Sequence, residues 1–312
     1  MSLERALELA ERGRNTTYPN PVVGAVVVRD GEIVGEGWHE RKGGPHAEVV
    51  ALGAAGERAR GATLFLTLEP CAHHGSTPPC TAAVLAAGVA RVVAGSLDPN
   101  PDAGGGLELL RERGVDVEIV DSFAARVQNE AWRVWIAERR PFVVLKLAVT
   151  LDGRVAVPER RWITGEEARR RVHELRAQVD AVGVGMGTVR ADEPLLTARD
   201  VDAQRQPRRL AFGRGPLPEG SDLELRSGAL SDELRALADE GVQSLLLEGG
   251  PTLATSFLRA ELVDKLLLFV APLLAGAGPA FLPELPDPAA LIGLRAEPVG
   301  EDVLLSGYVH EP

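Results

Sequence analysis

Two periods of apolar positions alternate along the chain and mark out its elements. Leu3 to Arg12 carries apolar residues at helical spacing and ends near Gly13, so it reads as an amphipathic helix. Val22 to Arg29 and Ile33 to Trp38 are short β-rich runs joined by Asp30-Gly31, a pair that suits the left-handed backbone of a tight hairpin. The pattern then predicts a helix over His46 to Ala55, a buried strand over Thr63 to Thr67, a helix over Thr81 to Ala87 and a strand over Arg91 to Ser96. That β-β-α-β-α-β order, with a further helix at Leu107 to Arg113, predicts a layered α/β domain. Asp98-Pro99-Asn100-Pro101 should close the last strand with a rigid turn near the pocket.

Ser122 to Arg139 reads as one helix with Trp132, Trp135 and Ile136 available for packing, and Pro141 ends it. The expected organisation is therefore a first domain over 1–121, a linker helix over 122–140 and a second domain over 141–312. Phe142 to Val149 is an almost unbroken apolar strand interrupted by Lys146. A βα alternation resumes: helix Glu166 to Gln178, strands Ala181 to Gly185 and Arg209 to Phe212, helix Ser231 to Glu240, strand Ser244 to Leu247, helix Thr252 to Ala260 and strand Lys265 to Val270. Gly213 to Gly220 and Leu274 to Pro288, rich in Pro and Gly, read as surface loops.

Composition narrows the function. Of 312 residues, 45% are apolar and 25% charged, and no apolar run approaches the ~20 residues of a membrane span. A net charge of −11 argues against a polynucleotide substrate, because affinity for phosphate backbones comes from clustered Lys and Arg. No signal segment is evident, so the expected location is the reducing cytoplasm, where disulfides are rare. The only two cysteines, Cys71 and Cys80, sit in a polar, proline-rich stretch rather than an apolar run. That placement counts against the reading of them as buried thiols, which behave as small hydrophobes.

With His46 these cysteines give one imidazole and two thiolates, three N/S ligands of the kind that bind zinc and leave a fourth position for water. Glu48, two residues after the histidine at a helix start, can face that pocket without filling it and pass protons to a leaving amine. The set matches the H-x-E then P-C-x-x-C signature of hydrolytic base deaminases. It departs in one respect: eight residues, Ala72 to Pro79, separate the cysteines instead of two, in a loop carrying His73, His74 and Thr77-Pro78-Pro79.

In the second half, Glu248-Gly249-Gly250-Pro251-Thr252 follows a hydrophobic strand and opens a helix. It is either a phosphate cradle built from backbone N–H groups and the helix dipole or a simple tight βα turn. Gly183-Val184-Gly185-Met186-Gly187-Thr188 lacks the third glycine of a dinucleotide fingerprint at the required place. Lys146 reads as a snorkelling or paired lysine rather than a catalyst.

Longer motifs add a resemblance. Pro19-Asn20-Pro21-Val22-Val23-Gly24, His46-Ala47-Glu48, Leu68-Glu69-Pro70-Cys71, Thr77-Pro78-Pro79-Cys80 and Asp98-Pro99-Asn100-Pro101 lie in the first half. Leu145-Lys146, Leu151-Asp152-Gly153, Trp162-Ile163-Thr164-Gly165, Leu175-Arg176-Ala177-Gln178, Gly187-Thr188-Val189, Asp192, Leu196-Thr197, Arg199 and Glu248-Gly249-Gly250-Pro251 lie in the second. From about Leu3 to about Gly278 the chain resembles the bifunctional riboflavin-biosynthesis deaminase-reductase family, in which the long cysteine spacing is itself a mark. Departures include Ser76, where the family usually carries Arg or Lys, and the altered loop around Phe212-Gly213-Arg214.

The resemblance implies an N-terminal cytidine-deaminase-like three-layer α/β/α domain and a C-terminal dihydrofolate-reductase-like α/β domain. It implies removal of the 2-amino group of 2,5-diamino-6-(5-phosphoribosylamino)pyrimidin-4-one, followed by NADPH reduction of the ribosyl chain of 5-amino-6-(5-phosphoribosylamino)uracil. By position, His46, Cys71 and Cys80 would bind zinc, Glu48 would be catalytic, and Asn20 and His39 would hold substrate. Ala148, Trp162, Thr188, Asp192 and Gly250, Pro251, Thr252, Leu253, Ala254, Thr255 and Ser256 would line the NADPH site. Arg176, Leu196, Arg199 and Glu248 would contact the reductase substrate, two guanidinium groups suiting a phosphate monoester. The expected protein is a homo-oligomer acting on a small molecule, without nucleic-acid or membrane partners.

Overall fold

A computed structural model of the chain describes residues 2–73, 78–283, 285 and 287–312. His74, Ser76 and Thr77, named above, lie outside the described residues. The chain divides after Glu138 into two compact units.

In the first unit, α1 (Ser2–Glu11) precedes a hairpin of β1 (Gly24–Arg29) and β2 (Glu32–Trp38). Asp30 and Gly31 both take positive φ, 52° and 82°, which is why Asp-Gly suits this turn. There follow α2 (Ala47–Ala55), β3 (Thr63–Leu66), α3 (Cys80–Ala87), β4 (Arg91–Ala94), α4 (Gly106–Glu112) and β5 (Asp116–Ile119). The strands form one sheet in the order β2-β1-β3-β4-β5. β1 pairs antiparallel with β2 and β3, while β3, β4 and β5 run parallel.

Period-two alternation in β1 builds the layers. Ala25 and Val27 face a core shared with Ala51 of α2, Val84 of α3 and Leu110 of α4. Val26 and Val28 point the other way, against Ala6 and Leu9 of α1. The result is a three-layer α/β/α unit.

The stretch expected to be one helix is two, α5 (Phe123–Gln128) and α6 (Glu130–Glu138). The break falls at Asn129, whose side chain accepts the Val22 N–H and donates to the Val22 carbonyl, both at 2.9 Å. Asn129 is buried and completes the hydrogen bonding of the chain entering β1, and Asn is more at home in such a role than inside a helix. Both helices belong to the first unit rather than to a free linker.

The second unit contains β6 (Phe142–Thr150), α7 (Glu166–Gln178), β7 (Ala181–Gly185), α8 (Met186–Asp192), β8 (Arg208–Phe212), β9 (Glu224–Arg226) and α9 (Leu230–Asp239). It continues with β10 (Ser244–Leu247), α10 (Pro251–Arg259), β11 (Lys265–Ala271), β12 (Ile292–Val299) and β13 (Asp302–Tyr308). The sheet order is β12-β13-β11-β6-β10-β7-β8-β9. It is parallel from β11 to β9, and β13 and β12 add an antiparallel edge. Val143, Leu145 and Leu147 on one face of β6 pack with Leu234 and Leu237 of α9 and Phe257 of α10. Among the described residues no helix is long and apolar enough to cross a membrane.

Candidate functional site

Two helix N-termini and the loop after a central strand assemble the cluster in the first unit. His46 is the N-cap of α2 and Cys80 is the first residue of α3. Cys71 lies five residues past the end of β3, whose register against β1 and β4 fixes the direction of the Leu68-Glu69-Pro70-Cys71 exit. His46 Nδ1 lies 3.0 Å from Cys80 Sγ and 3.7 Å from Cys71 Sγ. All three donor atoms fall within 4.8 Å of one another. Bond lengths of about 2.0 Å to nitrogen and 2.3 Å to sulfur would set tetrahedral N···S separations near 3.5 Å, which the two observed values bracket.

Electrostatics at the cluster favour a cation. The Cys71 thiol is drawn down to about 4 by its hydrogen bond with Cys80, with His46 adding to the effect, although burial opposes it. The Cys80 thiol is pushed up by the same contact with Cys71, by burial and by Glu48, so the site holds one thiolate readily and resists a second negative charge. The Cys80 N–H, at the positive end of α3, points to Cys71 Sγ at 3.4 Å and supports a thiolate there. A divalent ion held by the three residues would neutralise both sulfurs, so the donor set fits zinc.

Glu48 lies in the first turn of α2 and is 3% exposed. Its Oε2 is buried with no hydrogen-bond partner among the described residues, and burial raises its carboxyl above the ordinary range. His39 packs edge-on against His46 with ring centroids 5.3 Å apart. Its Nδ1 is 3.0 Å from the Pro45 carbonyl, which fixes that nitrogen as a donor and leaves the buried Nε2 without a partner among the described residues. Burial lowers the His39 pKa, favouring the neutral ring with an acceptor at Nε2. Asn20 is exposed in the turn after Thr17, and the Lys42 N–H donates to the Thr16 carbonyl at 3.1 Å, joining its loop to that of His39.

Glu69, quoted above only as part of a motif, has a defined task. Its carboxyl group accepts the N–H groups of Asp98, Gly105 and Leu107, each at 3.1 Å. It thereby ties the loop after β4 to the chain that delivers Cys71. The same loop approaches the ligand strand again at Gly106, where a Cβ would lie 1.8 Å from the Pro70 carbonyl oxygen. Glycine is required there by proximity alone.

In the second unit, the carboxyl ends of neighbouring parallel strands β7 and β10 run into α8 and α10, the place where open α/β sheets bind ligands. Gly250 is the N-cap of α10, and a Cβ on it would lie 3.9 Å from Thr188 Oγ1, so these two residues meet. Within α10, Ser256 Oγ donates to the Thr252 carbonyl at 2.8 Å, and Thr255 Oγ1 is buried without a partner among the described residues. Ala148 pairs with Phe269 in register on β6. Asp192 ends α8. Trp162 is 57% exposed, with the Arg161 and Arg169 guanidinium carbons 5.2 and 5.5 Å from its ring centre.

Glu248, directly after β10, is gripped by Arg176 through two hydrogen bonds of 2.6 and 3.0 Å, with Lys146 Nζ at 3.9 Å. Burial works to raise the Glu248 carboxyl, but Lys146 and Arg176 outweigh it and hold it below the ordinary range. Burial lowers Lys146, with Arg176 adding to the effect against Glu248. Arg176 also donates to the Thr197 carbonyl at 3.1 Å, and Arg199 Nη1 donates to Thr197 Oγ1 at 3.2 Å. Leu196 is buried between them in sequence with φ +54°, so Arg176, Leu196, Arg199 and Glu248 form one neighbourhood. Lys146 joins it as a paired lysine. His173 belongs to it as well and escaped the sequence reading; its place three residues before Arg176, one turn back on α7, was the available signal.

Comparison with known proteins agrees with this division. Residues 2–96 match the family model of the cytidine and deoxycytidylate deaminase zinc-binding region, and residues 141–305 match that of the RibD C-terminal domain. The riboflavin biosynthesis protein RibD of Aquifex aeolicus is 42% identical over 88% of this chain and 87% of its own length. That of Escherichia coli is 42% identical over 91% and 90%. Among solved structures, Acinetobacter baumannii RibD superposes with a TM-score of 0.83 at 35% identity, covering 98% of this chain and 97% of that one. The Thermotoga maritima diaminohydroxyphosphoribosylaminopyrimidine deaminase/5-amino-6-(5-phosphoribosylamino)uracil reductase superposes at 0.81 with 35% identity and the same coverage. With a zinc-binding deaminase region and a reductase domain in one chain, and relatives of this similarity along nearly all of it, the protein belongs to the RibD family of riboflavin-biosynthesis deaminase-reductases.

Proposed function

We propose that the first unit hydrolytically deaminates 2,5-diamino-6-(5-phosphoribosylamino)pyrimidin-4-one and that the second reduces the resulting 5-amino-6-(5-phosphoribosylamino)uracil with NADPH. The observation that carries the reading is the His46, Cys71, Cys80 cluster with the unpartnered Glu48 carboxyl oxygen beside it. His46 Nδ1 and the two sulfurs would hold zinc, which supplies Lewis acidity and brings the pKa of water from ~16 toward 7. Glu48 Oε2 takes a proton and returns it to the departing amine; its buried setting raises its affinity for that proton. His39 Nε2, an acceptor, would receive a donor group of the pyrimidine.

In the second unit Gly250 to Ser256, Thr188, Asp192, Ala148 and Trp162 would hold NADPH, which supplies hydride. Arg199 would hold the substrate phosphate through its fork of N–H donors, and Arg176, whose own fork grips Glu248, would add charge and its remaining N–H groups beside it. The Glu248 carboxylate keeps Arg176 oriented and leaves its own position fixed by the Gly183 carbonyl, which accepts the Glu248 N–H at 2.8 Å.

The test is loss of NADPH absorbance by the purified full-length chain supplied with the diaminopyrimidine phosphate. Oxidation that depends on this compound, with one ammonia released per NADPH consumed, supports both assignments. Ammonia release without NADPH oxidation would defeat the second.

A further inference from the structure

We infer that His173 is a positioning residue of the reductase half, holding the Thr197–Arg199 turn so that the Arg199 guanidinium stands where substrate is bound. The inference rests on the reading of Arg176 and Arg199 as substrate contacts and extends it to a residue outside that set.

The turn needs an external hold. Glu193, Leu196 and Asp200 all take positive φ, 42°, 54° and 58°, and none is glycine. Each such residue is strained and persists only when its surroundings fix it. One fastening is Gln206, whose side-chain amide accepts the Ala198 N–H at 2.8 Å and donates to the Ala198 carbonyl at 2.9 Å. The other comes from α7. His173 and Arg176 stand one turn apart on the same face, and both reach the turn. His173 Nδ1 lies 3.1 Å from the Thr197 carbonyl oxygen and 3.2 Å from the Arg199 N.

A single ring nitrogen serves only one of these at a time: protonated it donates to the carbonyl, unprotonated it accepts the Arg199 N–H. The Thr197 carbonyl already accepts an N–H from Arg176 at 3.1 Å, whereas the Arg199 N–H has the ring as its acceptor. The charged groups facing the ring are Arg176 on α7, Arg199 on the turn and Glu248 after β10, two cations against one anion. Burial, followed by Arg176, lowers the His173 pKa and keeps the ring neutral, and because Arg176 already serves the Thr197 carbonyl, the tautomer with Nδ1 as acceptor is the one that leaves neither group unpaired. His173 thus fixes the backbone of the residue whose guanidinium is to meet the phosphate. Protonating the ring turns the acceptor into a donor and releases that N–H.

The experiment measures reductase KM and kcat in the full-length chain, with the KM for NADPH reporting that the second unit is folded. His173→Ala is expected to raise the KM for the phosphoribosylamino substrate about tenfold, the scale of one or two hydrogen bonds, with the KM for NADPH unchanged. His173→Asn places a carbonyl oxygen close to the Nδ1 position and should restore most of the affinity. Wild-type KM should rise on the acid side as the ring protonates, and His173→Asn should lose that rise. An unchanged KM in His173→Ala while Arg199→Ala raises it overturns the positioning role. Failure of His173→Asn to rescue, with the KM for NADPH unchanged, does the same, because packing rather than the hydrogen bond would then matter. If Arg199→Ala itself leaves KM unchanged, the substrate assignment beneath the inference is the part that fails, and the inference falls with it.

Discussion

Removing the Glu69 carboxyl should loosen the loop after β4 without unfolding the unit around it. Three N–H groups converge on this one side chain, each at 3.1 Å, and Glu69 is 6% exposed. In Glu69→Ala the Leu107 N–H, which is buried, loses its acceptor at a cost of about 1–3 kcal/mol. The Asp98 and Gly105 N–H groups are partly buried and recover water in part, adding about 0.5–1 kcal/mol each. The sum is about 3 kcal/mol of local stability. Glu69→Gln keeps the amide oxygen for Gly105 and Leu107 but turns an NH2 toward the Asp98 N–H, so about half that loss is expected. Because a chain of two units need not unfold in one step, amide hydrogen exchange is the suitable assay. Protection at Asp98, Gly105 and Leu107 should fall about a hundredfold in the alanine variant, with the amides of β3 nearly unchanged. A fall below threefold at all three positions would refute the claim that Glu69 holds the loop.

Other perturbations reach different parts of the molecule. Gly106→Ala forces a methyl group onto the Pro70 carbonyl and should displace the Cys71 backbone, lowering both zinc content and deamination at least tenfold while reduction persists; parallel metal analysis and activity assays check this. Glu248→Gln leaves Arg176 and Lys146 without their buried counter-charge and should destabilise the second unit by about 3–5 kcal/mol, measurable by denaturant unfolding of that unit. Asp152 is held down to about 2 by the Thr150 hydroxyl and by the Ala275 and Gly276 N–H groups. Its pKa is depressed in the folded state, so its contribution is full above the unfolded value near 3.8 and is lost as pH falls through about 2. Asp152→Asn should therefore flatten the pH 2–4 limb of the stability curve, and an unchanged slope would contradict the assignment.

Legibility in the sequence followed periodicity. Helix Glu166–Gln178 and strands Ala181–Gly185 and Ser244–Leu247 lie where the apolar pattern put them, since long or fully buried segments leave the strongest signal. β5 (Asp116–Ile119) and β9 (Glu224–Arg226) were missed because, at four and three residues, each is too short for its alternation of charged and apolar positions to stand out. β12, almost wholly exposed, and its partner β13 were missed for the related reason that their pairing is set by tertiary contact rather than by a buried alternation. The clustering of His46, Cys71 and Cys80 was legible because these residue types are rare and their spacing is specific. His173 and Glu69 were not, since a histidine on a helix and a glutamate in a motif acquire their tasks only when a distant backbone N–H is folded against them.

Metal analysis of the purified chain, paired with ammonia release by wild type and Glu48→Gln, bears most directly on the central claim. Zinc stoichiometric with the chain in both proteins, and ammonia released by wild type alone, is the predicted result. A chelator-stripped protein that still releases ammonia at the full rate would contradict it.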